Sequence, residues 1–313
     1  MEPDLLSSQR AAVVVLNLTT AILVGASAAN LWLRSASSAW AAAVLPRLRT
    51  SMRACVPVTL AAYVAVLWLE AASMAEVPLA SAWPAVVSVL AATHYGLAWL
   101  IGASALVVLG LTSLALPAHQ AAGPANAVRI LALGVFLYSR SMVSHAGAAG
   151  DFTWAVAADW VHLVLVSVWV GEVIVAGLVV LNRKPAGESA SRVDCAHYTE
   201  QLSHSATIAL TGIFITGAIS AWRGLGGIEN VVGNPYGTTL LVKIALVLSA
   251  AALGGVNRFV VMPGLLEGLR RPHTANLGAS RRFAAVLKVE AVVLLAVLVA
   301  AAFLSSTSPP SAA

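Results

Sequence analysis

The chain returns repeatedly to apolar runs of bilayer length, and that repetition limits what it can fold into. A helix needs about 20 predominantly apolar residues to cross a membrane. Eight such stretches can be marked, at roughly 11–33, 55–75, 85–116, 127–147, 155–181, 203–223, 237–257 and 283–305. Hydrophobic residues make up 59% of the chain and charged residues 10%, with a mean hydropathy of +0.87; soluble domains are about 45–50% apolar. Within hydrocarbon the backbone must satisfy its own hydrogen bonds, so the runs are expected as helices, and barrel-type alternation is absent. The expected class is an all-α polytopic membrane helix bundle of about eight transmembrane helices, one integral membrane domain over residues 1–313. The first run is too long for a signal-peptide core and shows no clear cleavage site, so it reads as a retained first helix. Pro57, Pro84 and Pro117 fall near expected helix ends, where a missing N–H costs least.

Basic residues predict the orientation. Thirteen fall in the connections after the first, third, fifth and seventh runs: Arg34, Arg47, Arg49, Arg53, Arg129, Arg183, Lys184, Arg192, Arg258, Arg270, Arg271, Arg281 and Arg282. The opposite ends hold Arg10, Arg140 and Arg223, while Lys243 and Lys288 fall inside runs. By the positive-inside rule the thirteen face the cytoplasm and both termini lie outside. A faint repeat pairs Tyr95-Gly96 with Tyr236-Gly237 and Gly25 with Gly171. It points to two four-helix halves in the same orientation, residues 1–147 and 148–313, a parallel repeat; chance similarity between apolar helices is the alternative.

Cys55 and Cys195 lie far apart with no CxxC spacing, and say little of redox compartment. No Walker-type loop, dinucleotide glycine pattern or nucleic-acid motif occurs, so no nucleic-acid partner is expected. The chemistry concentrates between residues 142 and 172. Met142 and His145 stand three apart, as do Asp159 and His162, so each pair shares a face if helical. With residues 147–150 as a turn, the two pairs meet at the outer end, where Met74, Glu76, His94 and Asp151 also gather. His119, His197, His204 and His273 fall on the opposite side. Thioether with imidazole favours copper, since soft sulfur selects Cu(I) and imidazole also accepts Cu(II). Asp159 is placed to orient His162 or to ligate. The plain alternative is a set of polar helix ends at an interface. Deeper in the runs lie Arg140, Glu172, Lys243, Lys288 and Glu290, each costly there and so functional or paired by default. Glu172 and Glu290 come to similar depth, with Lys288 positioned to neutralise one of them; a structural ion pair and a transport path are both open. Asn257-Arg258 reads as an interfacial anchor.

These residues resemble the CopD-type copper resistance and transport proteins of bacterial inner membranes. The matching pieces are Ser144-His145-Ala146, Ala158-Asp159-Trp160-Val161-His162 with Trp169-Val170-Gly171, and Thr216-Gly217-Ala218 before Trp222. They continue with Tyr236-Gly237 ahead of Lys243, Asn257-Arg258 ahead of Pro263, Glu290 and the closing Pro309-Pro310. The likeness covers residues 140–310; the N-terminal half shares hydropathy and His94-Tyr95-Gly96. It departs at Glu172, where the family commonly has a second Gly, and at His204, where Arg is usual. The resemblance implies a multi-pass inner-membrane protein that moves copper, often beside a small periplasmic copper-binding partner, with His145 and His162 at the family's histidine positions. The leading expectation is a copper transporter, not an enzyme. Its outer copper site would draw on His145, His162, Met142, His94 and Asp159, and Glu172, Glu290, Lys288 and Lys243 would be path or ion-pair residues. The alternatives are a haem-bearing electron-transfer protein using His145 and His162 as axial ligands, and a copper-dependent membrane enzyme or assembly factor.

Overall fold

The computed structural model describes residues 3–114, 124–183, 185, 188–270 and 277–312, and all regular structure among them is helical. Pro117, His119, Lys184, Arg271 and His273 lie outside the described residues. The elements are α1 (Pro3–Trp32), α2 (Ala39–Met74), α3 (Trp83–Ala92), α4 (His94–Leu114) and α5 (Pro124–Met142). They continue with α6 (Trp154–Val175), α7 (Ser189–Leu225), α8 (Pro235–Val256), α9 (Met262–Arg270) and α10 (Leu277–Ser305). Seven helical stretches among the described residues are long and apolar enough to cross a membrane: α1, α2, α4, α6, α7, α8 continued through α9, and α10. The remaining expected crossing is α5, with 19 residues, ~28 Å at an α-helical rise. Arg129 and Arg140 dilute its apolar character, yet it runs antiparallel to α4 and leads into α6.

Several expected boundaries move for local reasons. The second run begins at Ala39 rather than residue 55, capped by Ser38, whose side chain accepts from the Ala41 N–H; Pro46 and Pro57 are therefore interior to α2. The third run breaks at Thr93, which is extended. Its hydroxyl donates back to the Val89 carbonyl and accepts from the Gly96 N–H, so one side chain closes α3 and caps α4. The fourth run stops at Met142, and His145 lies beyond it in a 3-10 turn, His145–Ala149. At the ends of α6 and α8 the helix widens into π-helical turns, Ala176–Val180 and Asn257–Val261.

The core forms around α6, which packs along α1 and α7 and also touches α5 and α10. Its crossing with α1 is backbone against backbone at Gly25 and Gly171. A Cβ on Gly171 would fall 2.8 Å from the Gly25 nitrogen, and one on Gly25 would fall 2.7 Å from the Glu172 nitrogen. These are the two glycines that the faint sequence repeat pairs. Lipid tails are as apolar as leucine, so close approach through small residues is what draws membrane helices together. At one end of the bundle, Arg10 stacks 4.2 Å over the Phe303 ring and donates to the Ser306 hydroxyl, joining the start of α1 to the end of α10.

Replacing Gly171 with Val is expected to lower the melting midpoint of the detergent-solubilised protein by several degrees or to abolish folded yield. Overpacking costs about 1–3 kcal/mol where neighbours can shift, and here the neighbour is backbone. Gly255→Val, where an added Cβ meets nothing within 4 Å, should leave the midpoint unchanged. Thermal melts read by size-exclusion chromatography compare the two.

Candidate functional site

Helix α6 carries the polar groups that the fold places inside the bundle. Thr153 caps it, accepting from the Val156 N–H, and Asp159, His162, Ser167, Trp169 and Glu172 follow along its length. Its seam with α7 holds a polar pair at each of two levels. His162 Nδ1 lies 2.8 Å from the Thr216 hydroxyl, which donates in turn to the Gly212 carbonyl. About three turns on, the Ser205 hydroxyl donates to Glu172 Oε1 at 2.6 Å. Toward α10, the Trp169 indole N–H donates to Glu290 Oε1 at 3.2 Å. Glu172 and Glu290 are 1% and 2% exposed, so both carboxyls belong to the interior.

Two cavities open beside this helix. One, of about 270 Å³, lies nearer the start of α6 and is lined by Asn17, Arg140, His162 and Lys243 among apolar side chains. The other, of about 330 Å³, lies nearer its end and is lined by Ser203, Thr207, Asn257, Arg258 and Glu290. Trp169 and Phe214 line both, so these two rings form the partition. In the first cavity Arg140 donates to Asn17 Oδ1 at 2.6 Å, and Asp159 lies within electrostatic range of both Arg140 and Lys243. In the second, Arg258 Nη1 reaches the Ser203 carbonyl, the Ser203 hydroxyl and the Thr207 hydroxyl at 2.6, 2.7 and 2.6 Å.

The candidate outer residues divide into separate settings. His94 Nε2 lies 2.7 Å from Asp151 Oδ1, a half-exposed pair at the start of α4. Tyr138 donates to the Asp151 carbonyl at 2.8 Å, fixing that loop against α5. The Ser144 hydroxyl donates to Asp159 Oδ2 at 3.0 Å, while His145 beside it is exposed. Met142 is buried and ends α5, with Val143 and Ser144 between it and the turn. His162 points to α7 instead, so Asp159 and His162 share a helix but serve different partners. Because α5 ends before His145, Met142 and His145 do not share a helical face as expected. Among the described residues, no group of three or more His, Cys, Asp or Glu side chains is placed to hold a metal ion.

Lys288 does not neutralise a carboxylate in this arrangement. It is exposed, whereas Glu290 is buried, because residues two apart on a helix face different sides. Lys243 borders the first cavity instead. Of the histidines assigned to the opposite side, His197 and His204 are exposed on α7. Several groups that build the interior were not singled out from sequence: Asn17, Ser205 and Phe214; Trp169 and Thr216 entered only as pieces of the family resemblance, with no role attached. Small polar and aromatic residues in apolar runs are common, and nothing in their spacing marks them. Arg258 was read as an interfacial anchor, and its position next to buried Asn257 at a π-helical turn is the signal for a larger role; such turns recur at functional sites.

Comparison with known proteins agrees with this architecture. A family model described as "Copper resistance protein D-like, N-terminal domain" matches residues 8–154. A second, described as "Copper resistance protein D", matches residues 196–304. Copper resistance protein D of Pseudomonas syringae pv. tomato is 27% identical over 249 residues, 77% of this chain and 74% of that protein. Copper transport protein CutJ of Bacillus subtilis (strain 168) is 26% identical over 227 residues, 71% of this chain; the match takes in 38% of CutJ's own length. With both models matched in order across most of a many-helix membrane chain, the protein belongs to the copper resistance protein D family.

Proposed function

We propose that this protein carries copper across the bacterial inner membrane, as a transporter rather than an enzyme. The observation that carries the reading is the pair of cavities along α6 with a shared Trp169–Phe214 partition. One cavity offers the imidazole of His162 and the other the carboxyl of Glu290, and the partition residue Trp169 is hydrogen-bonded to that carboxyl. A transporter needs sites on both sides of a barrier, and a reason for the barrier to move. An ion that engages Glu290 competes with the indole N–H for the same oxygen, so occupancy and gate position are linked. Imidazole is a good copper donor in either oxidation state.

The surplus of positive charge beside His162 limits how tightly the ion is held. Arg140 and Lys243 face the same cavity, and Asp159 offsets only part of their charge. Repulsion in apolar surroundings keeps occupancy short, which suits conduction, since a site must release what it selects. The outer residues His94, Asp151, His145, Met142 and Asp159, each in its own setting, receive the ion from solution or from a copper-binding partner protein outside the membrane. In this reading the Arg-rich helix ends face the cytoplasm and both termini lie outside. The haem alternative is disfavoured, because axial ligation needs facing rings, while His145 is exposed beyond α5 and His162 is bonded to α7.

Copper flux into proteoliposomes is the test. His162→Ala and Trp169→Ala are expected to change flux at least tenfold, the first downward by loss of a ligand and the second upward by loss of the barrier. Glu290→Gln should slow flux, and Lys288→Ala should leave it near wild type. Wild-type flux in both His162→Ala and Glu290→Gln would rule out this route.

Orientation is checked separately. Reporter fusions after residues 35 and 188 are expected to report cytoplasm, and a fusion after residue 311 the outer face. A cytoplasmic report from residue 311 would invert the assignment of outer and inner sites.

A further inference from the structure

Positive charge crowds the end of the bundle where α4 hands over to α5. Arg49 and Arg53 stand at i and i+4 on α2, where like charges oppose one another, and Arg129 lies within electrostatic range of both. Two of the three converge on the last turn of α4. Arg53 Nε donates to the Ser113 carbonyl at 3.2 Å, and Arg129 Nη2 donates to the neighbouring Thr112 carbonyl. The helix dipole there amounts to about half an elementary charge, far less than the arginines bring. No Asp or Glu occurs anywhere between residues 5 and 69 or between residues 77 and 150. Neither the α1–α2 connection nor the α4–α5 connection can therefore supply a carboxylate.

Arg129 is only 6% exposed, and its Nε has no partner among the described residues; the hydroxyl of Ser113 beside it has none either. A buried guanidinium with an unsatisfied N–H is costly unless an anion offsets its charge. The depth of the cluster points to the source of that anion. Helix α2 has 36 residues, ~54 Å, against a hydrocarbon core of about 30 Å. Its uninterrupted apolar stretch begins after Arg53, so the arginines stand at the level of the headgroups. On the same two helices, Leu111 of α4 and Leu131 of α5 turn outward, 62% and 68% exposed, an apolar surface suited to acyl chains.

We propose that Arg53 and Arg129, with Arg49 adding to the field, bind the phosphate of an anionic phospholipid at the junction of α2, α4 and α5. The pairing of cationic headgroup contacts with apolar wall matches an amphiphile and not a free anion. This site stands apart from the α6 cavities and does not depend on the copper route.

Native mass spectrometry of the full chain, with phosphatidylglycerol, phosphatidylcholine or inorganic phosphate added in equal amounts, reads the site directly. The wild-type protein should retain phosphatidylglycerol and lose the other two. Arg49→Gln with Arg53→Gln should weaken that retention about 30-fold, two charges at ~1 kcal/mol, or about fivefold, each. Arg281→Gln with Arg282→Gln, which removes an exposed basic pair on α10, should leave it unchanged. The wild-type selectivity needs no variant to fold. Equal retention of both phospholipids, phosphate bound as well as the lipid, or equal losses in the two double variants would each overturn the proposal.

Discussion

The close approach of α1 and α6 at Gly25 and Gly171 is the contact on which the remaining arrangement depends. In a bilayer no hydrophobic force pushes helices together, so the bundle relies on surfaces that fit and polar groups that must find one another. Removing both Cβ atoms lets two backbones touch, and that sets how deeply α6 sinks between its neighbours. Once α6 is central, its other faces must meet α7 and α10. The side chains of His162, Trp169 and Glu172 are thereby committed to the interior. Glu172 directly follows the crossing glycine, so its burial is a geometric consequence of that contact.

What holds these interior groups is also informative. Glu172 accepts from a serine, Glu290 from an indole and His162 meets a threonine, all neutral partners. Glu172 Oε2 and the hydroxyl of fully buried Tyr198 have no partner among the described residues, although the two groups feel one another electrostatically. A carboxyl locked by an arginine would be hard to release, because breaking a buried ion pair leaves a charge stranded. Neutral donors hold α6 in register with less resistance to rearrangement. That is the condition under which one helix can present its groups first to one cavity and then to the other.

Much of the fold was legible in sequence because a bilayer asks only for length and apolarity. The runs, the central position of the 142–172 stretch and the burial of Glu172 and Glu290 all follow from those two requirements. The errors in helix boundaries share a cause. Ser38, Thr93 and Ser144 each redirect the chain through a side-chain hydrogen bond, and hydropathy does not register such caps. Ser144 alone accounts for the largest revision: by capping the turn and donating to Asp159 it sets His145 outside the helix, and His162 is left to α7. Lys288 was misjudged by treating depth as sufficient, when the face of the helix decides whether a lysine meets a carboxylate. Trp169 and Phe214 could not be found from spacing, because a partition exists only when two cavities form on either side of it.

The two halves of the bundle secure their Arg-rich ends by different means. In the C-terminal half the basic residues find protein partners: Arg258 grips Ser203 and Thr207, and Arg270 meets Glu200 at 2.6 Å, so α8 and α9 are tied to α7. Toward the N-terminus Arg53 and Arg129 reach only backbone carbonyls of α4, the sequence supplies no carboxylate between residues 5 and 69 or between 77 and 150, and the counter-charge proposed above is anionic lipid. Helix α7 is in turn tied to the start of α2: the Ser38 N–H donates to Asp194 Oδ2 at 3.3 Å, the Trp40 N–H donates to the Ser191 hydroxyl at 3.3 Å, and Tyr198 packs edge-on against Trp32 and Trp40. The two Arg-rich ends are therefore held to one another as well as to their own partners. The π-helical turns at Ala176–Val180 and Asn257–Val261 stand at this same end of α6 and α8, where the regular helical ladder is already interrupted.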